Sequence, residues 1–198
     1  TENKTLYIAG PAAADAITGA SFSPYVFRCG RQNIQDALTM GAALTGLGEN
    51  FIQISQDNAF GQGSAAGFYN VVKAAGGTFP VNDSETGVGA IFAPPDTTDF
   101  TPYINQILES GSDVLIVTWS GAGFVPMFQQ MQQLGVFDAM DVATGFCDNQ
   151  TLAQGYAEAV NSVGVVVYAY SLYDNPINTY LTDEHNARFG TPPDRWAE

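Results

Sequence analysis

The chain has 198 residues, 45% of them hydrophobic, enough for one sizeable core or two small ones. Asp and Glu number 20 against 6 Lys and Arg, a formal net charge of -14. That balance excludes the basic patch or helix that nucleic acid or an anionic membrane requires, and acidity otherwise favours solubility. No apolar run reaches membrane-spanning length, so no membrane insertion is expected.

In chain order, Thr1–Lys4 reads as a helix end running straight into a strand, with no leader before it, as in a mature or trimmed segment. Thr5–Ala9 is the strand, and Gly10-Pro11 stops it and opens a small-residue loop from Ala12 to Gly19. Pro24–Arg28 is a second strand, ended by Cys29-Gly30. From Gln32 to Leu47 the spacing of Ile34, Ala37, Leu38, Ala42 and Leu44 predicts an amphipathic helix closed by Gly48. Phe51–Ser55 reads as a buried strand and runs into a polar turn. A helix then starts near Phe60 and carries Phe68, Val71, Val72 and Ala75 inward.

Thr78–Val81 is expected to be extended, at an edge because of Pro80. Residues 82–97 read as a long connection without regular structure. Asp96–Asp99 has helix-start chemistry, and Tyr103, Ile104, Ile107 and Leu108 form an apolar stripe after it. Asp113–Thr118 is a buried strand with Val114-Leu115-Ile116-Val117 unbroken. Trp119–Gly123 follows as a loop, then a helix through Gln133, stopped by Gly135. Asp141–Thr144 is a brief strand with the exit loop Gly145–Asn149. A helix over about Thr151–Val160, a strand over Val163–Tyr170 and a helix over 176–189 complete the chain, with Thr191-Pro192-Pro193 as a stop. Strands alternating with helices in this way predict an α/β fold, parallel sheet flanked by helices on both faces.

Catalytic motifs are missing. There is no Walker A sequence, no G-x-S-x-G and no H-E-x-x-H, and the single histidine, His185, stands in a polar helix between Glu184 and Asn186. No enzyme activity is expected. Gly61-Gln62-Gly63 with Gly67 echoes a dinucleotide fingerprint, but Gln56–Phe60 separate it from the strand, so these glycines suit a helix start and no cofactor is expected. Cys29 and Cys147 lack metal-ligand spacing and are expected to be free thiols; a disulfide requires the fold to bring them together. No metal site is expected. Asp57, Asp99 and Asp148 sit where helix caps are common.

What remains is chemistry for binding. In parallel α/β sheets ligands meet the loops beyond the strands' carboxyl ends. Four such loops, 10–15, 56–61, 119–123 and 145–149, offer small residues such as Gly121, backbone N–H groups, the aromatics Phe60, Trp119 and Phe146, and Asp148. Small residues admit a carboxylate to the amides, and aromatic faces cover an apolar body.

The runs Ile8–Thr18, Tyr25–Arg28 and Gln56–Gly63, with Asp96–Phe100 and Gly190–Asp194, resemble the periplasmic leucine/isoleucine/valine-binding proteins, type I solute-binding components of ABC importers. The resemblance covers nearly the whole chain. It implies two α/β lobes joined by hinge strands, with residues 1–30 a lobe 1 segment, 31–170 a complete lobe 2 and 171–198 a return to lobe 1. The first strands of lobe 1 and its C-terminal part would be lacking. Phe27-Arg28 and Tyr168–Tyr170 would lie near the hinge. The implied function is an extracytoplasmic receptor, periplasmic in a cell with two membranes, that closes on a small solute and hands it to an ABC permease. A sensory ligand-binding domain of the same fold is the alternative, and a nucleotide-using α/β enzyme a more distant one.

By position, the resemblance puts the ligand's α-carboxylate at Ala12, Ala13 and Ala14. The family usually carries a Thr or Ser where this chain has Ala14, a Tyr at Phe60, and another Tyr at Ser120, just after Trp119. Its ammonium-binding Glu comes from the segment matching 145–149, where Asp148 is the nearest acid. These departures leave an amino acid, an aromatic or other small carboxylate, and an amide all open.

Overall fold

The computed structural model describes residues 3–81, 87–145, 161–165 and 168–193. Its strands are β1 (Tyr7–Ala9), β2 (Val26–Arg28), β3 (Phe51–Gln56), β4 (Ala90–Ala93), β5 (Val114–Thr118), β6 (Asp141–Thr144) and β7 (Ser162–Gly164). Its helices are α1 (Asn33–Leu44), α2 (Ala59–Ala74), α3 (Thr101–Glu109), α4 (Phe124–Gln133), the short α5 (Val136–Ala139) and α6 (Pro176–Phe189). A 3-10 turn, Asp15–Ile17, follows β1.

β3 is buried at every position because it has a strand on each side and helices on each face. The sheet order is β4-β3-β5-β6-β7, and every pairing is parallel. Side chains alternate along a strand, so one run of apolar residues supplies two cores. Ile52, Ile54, Leu115 and Val117 face Ile104, Ile107, Met127 and Met131 of α3 and α4. Phe51, Val114 and Ile116 face Ala37, Met40, Leu44, Phe68 and Val72 of α1 and α2. The two helices on that face approach closely at Gly41, where an added Cβ would run into the Val71 side chain.

β1 and β2 form a separate parallel pair in register Tyr7 to Val26, Ile8 to Phe27 and Ala9 to Arg28. Only Ala9 of these residues is buried; Leu6, Ile8 and Phe27 are 60%, 59% and 56% exposed. α6 is similar, with Ile177 82% and Phe189 68% exposed. Asn178 is its buried anchor. The Asn178 amide donates to the carbonyls of Tyr170 and Tyr173, both at 2.8 Å, and its oxygen accepts from the Tyr168 hydroxyl.

The structure corrects several expectations. Thr78–Val81 is not a strand: Thr78 makes a single bridge to Asn50, and Phe79 is apolar because its ring packs on Phe51 and Tyr69. The edge strand is β4, inside the 82–97 connection, held against Gln53–Gln56. Gly135, at φ 78°, ends α4 as expected, but α5 starts at once beyond it. Of the strand expected over Val163–Tyr170, Val163 and Gly164 lie in β7 and Tyr170 opens a 3-10 turn over Tyr170–Leu172, while 166–167 lie outside the described residues. α1 stops at Leu44 rather than Leu47. The helix expected over 151–160 lies outside the described residues.

Candidate binding site

Beyond β1 the chain turns through Gly10–Ala14 into the 3-10 turn, and Arg28, the last residue of β2, reaches into that turn. Its Nη1 donates to the carbonyls of Ala12 and, at 3.2 Å, Arg31. Its Nη2 donates to Ala14 O at 2.7 Å and its Nε to Thr18 Oγ1 at 3.2 Å. Ala13 O accepts from the Asn33 N–H at 3.0 Å. All three alanine carbonyls are therefore turned into the protein. Among the described residues no acceptor takes the N–H of Ala12, Ala13 or Ala14. Gly30 permits this closeness, since a Cβ there would strike the carbonyl of Gly10.

Asn33 joins this loop to the next. Fully buried at the start of α1, it gives its N–H to Ala13 and donates from Nδ2 to Phe60 O at 3.0 Å. Phe60 itself is half-buried in the first turn of α2. Asn58 caps that helix, its Oδ1 accepting from Gly61 N at 3.0 Å. A Cβ on Gly61 would meet the backbone of Gln56, one on Gly63 would meet Asn33 Nδ2 at 3.0 Å, and one on Gly67 would meet Ala37 at 3.1 Å. The glycine echo of a dinucleotide fingerprint is thus accounted for by close packing of α2.

Gln56 reaches across to the exit of β5. Its side chain is buried, donates from Nε2 to Ser120 O at 2.9 Å and accepts from Ser120 Oγ at 3.1 Å. Ser120 and Gly121 are exposed at the loop tip, with Gly121 at φ 85°. Trp119 points the other way. Fully buried, its ring meets Phe100 edge-on at 5.0 Å, and Gly123 lies against its Nε1. It supports the loop from below and presents no face to a cleft.

Ala12, Ala13, Ala14, Phe60, Ser120 and Gly121 therefore stand on three strand-exit loops connected through Asn33 and Gln56, while Trp119 belongs to the core. Phe146, Asp148 and Cys147 lie outside the described residues. Cys29 is an exposed free thiol. The sequence singles out none of the side-chain contacts of Arg28, Asn33 and Gln56, although it places Arg28 near the expected hinge and Gln56 in the 56–61 loop. A lone cation ending an apolar strand, in a chain with 6 Lys and Arg, was the signal available for Arg28.

The carboxylates with shifted acidity are elsewhere. Asp99 is held below the ordinary carboxylate range by the Thr101 side chain and then its N–H. Asp113 is lowered by the N–H groups of Asn50 and then Glu49, which tie the start of β3 to the start of β5. Asp57 accepts from Gln62 Nε2 at 2.9 Å, a contact within its own helix start. Among the described residues no cluster of His, Cys, Asp and Glu could hold a metal ion, and no helix is long and apolar enough to cross a membrane.

The whole chain, residues 1–198, matches the family model described as periplasmic binding protein, and the chain belongs to that family. It is 29% identical to an ABC-type branched-chain amino acid transporter protein from Rhodopseudomonas palustris, with a TM-score of 0.72, covering 99% of this chain and 52% of that one. A periplasmic binding protein from Burkholderia mallei shares the fold at TM-score 0.82 and 21% identity, over 98% of this chain and 49% of its own. So does an R. palustris ABC transporter solute-binding protein solved with benzoate, at TM-score 0.81 and 24% identity, over 99% and 52%. The chain thus spans about half the length of each. No curated protein matches the sequence. The parallel sheets flanked by helices are those of the type I periplasmic-binding fold.

Proposed function

We propose that this chain is part of an extracytoplasmic solute-binding protein that delivers a small amino acid or related carboxylate to an ABC permease. Residues 1–30 and 171–198 would belong to one lobe and 31–170 to the other, with ligand favouring the closed state. The observation that carries the reading is the loop Ala12–Ala14, whose carbonyls are all engaged within the protein while its N–H groups have no acceptor among the described residues. Its side chains are methyl groups, so an anion can come against the amides.

In this reading Phe60 covers the ligand's apolar part, Ser120 and Gly121 approach from the β5 exit, and Phe146 and Asp148 complete the cleft. Trp119 holds the β5 loop in place. A similar protein carries benzoate and another carries 3,4-dihydroxybenzoic acid, which makes an aromatic acid a ligand class to try first beside branched-chain amino acids. Binding, without turnover, is the role of such a site.

The test is a thermal-unfolding panel on the full-length product of the gene, with amino acids, aromatic acids, amides and nucleotides. A true ligand at a hundred times its Kd stabilises by about 2.7 kcal/mol, a rise of several degrees. A response to one small carboxylate is expected. Stabilisation by a nucleotide alone would overturn the reading.

A further inference from the structure

We propose that Arg28 is the positioning residue of the Ala12–Ala14 loop and its fixed counter-charge, so that it sets a preference for anionic ligands over neutral isosteres without touching them. This rests on the carboxylate-binding reading above and adds a residue and a selectivity mechanism to it.

The other described arginines pair with acids: Arg31 with Asp36 at 3.0 Å and Arg188 with Glu184 at 2.8 Å. Arg28 does not. Its contacts are the carbonyls of Ala12, Ala14 and Arg31 and the hydroxyl of Thr18, all neutral. A guanidinium keeps its charge at any ordinary pH, and a half-buried one without a carboxylate is an uncompensated cation. This is a conspicuous arrangement in a chain with 20 acidic residues. The planar fork also suits its task, because several donors in fixed directions hold separate carbonyls at once. The Ala12 and Ala14 carbonyls drawn toward Arg28 belong to the peptide units whose N–H groups are those of Ala13 and Asp15, so the positive ends of those two dipoles point away from the guanidinium. Charge and dipoles then act in the same direction, and a carboxylate placed on the amides supplies the missing counter-ion.

The experiment measures affinities by calorimetry for two acid–amide pairs, benzoate with benzamide and leucine with leucinamide, in the full-length protein. Arg28→Gln keeps a donor but removes the charge. Loss of a charge-assisted interaction predicts about tenfold or greater weakening for the acid, while the amide changes by less than about threefold. Arg28→Lys, which restores a cation, is expected to restore the acid preference. Equal weakening of acid and amide by Arg28→Gln would mean a merely structural role and would overturn the inference, leaving the binding reading intact. A wild type that does not prefer the acid in either pair would overturn both. Should Arg28→Gln fail to fold, Arg28→Lys decides: a retained acid preference supports the counter-charge, and its loss with the cation present refutes it.

Discussion

β1 and β3 read alike in the sequence, as short apolar strands stopped by turn residues, yet they meet opposite fates in the structure. β3 is buried throughout, whereas β1 and its partner β2 leave Leu6, Tyr7, Ile8 and Phe27 largely exposed. The difference lies in what surrounds them. Every strand from β3 to β6 has neighbours and helices within residues 33–144, so each apolar face finds cover nearby in the chain. The β1–β2 pair has no third strand among the described residues. The five-stranded region therefore carries the stability of this chain. The two-stranded pair carries the proposed ligand loop and, under the proposed lobe assignment, draws its stability from elsewhere in the protein.

The largest effect expected from this contrast is at Trp119. Trp119→Ala should destabilise the 198-residue chain by about 3–5 kcal/mol, read as a denaturant midpoint, because it empties a fully enclosed site. Ile8→Ala in the same chain should stay within about 0.5 kcal/mol, since that side chain is already exposed. In the full-length product the Ile8 change should rise to about 2 kcal/mol or more if the remainder of lobe 1 covers it. An unchanged small value there would break the lobe assignment.

Gly61→Ala is next in size. Its methyl would press on the Gln56 backbone, which is fixed in β3, so a loss of about 1–3 kcal/mol is expected in thermal or chemical melts. A tolerated alanine would show that the β3–α2 turn can yield.

Asp113→Asn should have the smallest effect, and one that depends on pH. The Asp113 pKa is lowered in the folded state, so its stabilising contribution is present above the unfolded value, about 4, and is lost as pH falls through the folded value. The variant should melt slightly below wild type at pH 7, with the gap closing in acid. A gap that persists at pH 2 would show that the carboxylate's charge is not the source of its effect.

The sequence made much of this legible where pattern and packing agree. Val114–Val117 is unbroken and buried, and the α2 stripe of Phe68 and Val72 faces inward as read. It was illegible where an apolar residue serves something other than its own element. Phe79 looks like part of a strand and is a loop side chain on Phe51, and Gly89 at φ 61° leaves room for its ring. β4 is four residues between Gly89 and a double proline, so its surroundings argued for a loop although the sheet edge accepts it. At the candidate site, the small-residue loop stands out in the sequence. The roles of Arg28, Asn33 and Gln56 do not, because each acts on backbone groups well separated in the chain: Arg28 shows only as a lone cation near the expected hinge and Gln56 only as part of the 56–61 loop. Trp119 illustrates the reverse case: its place after a strand pointed to a ligand, and its size placed it in the core.

The bond from Gln56 Nε2 to Ser120 has a consequence for how such a site can change. Its acceptor is the backbone carbonyl, which every amino acid possesses. The anchor of the β5 loop thus does not depend on the side chain at position 120, although the serine hydroxyl adds a second contact. Drift or selection can replace that exposed residue with an aromatic, an acid or an amide and keep the loop where it is. Under the proposed function, the anchoring of this loop and the side chain it offers to a ligand are then free to change separately.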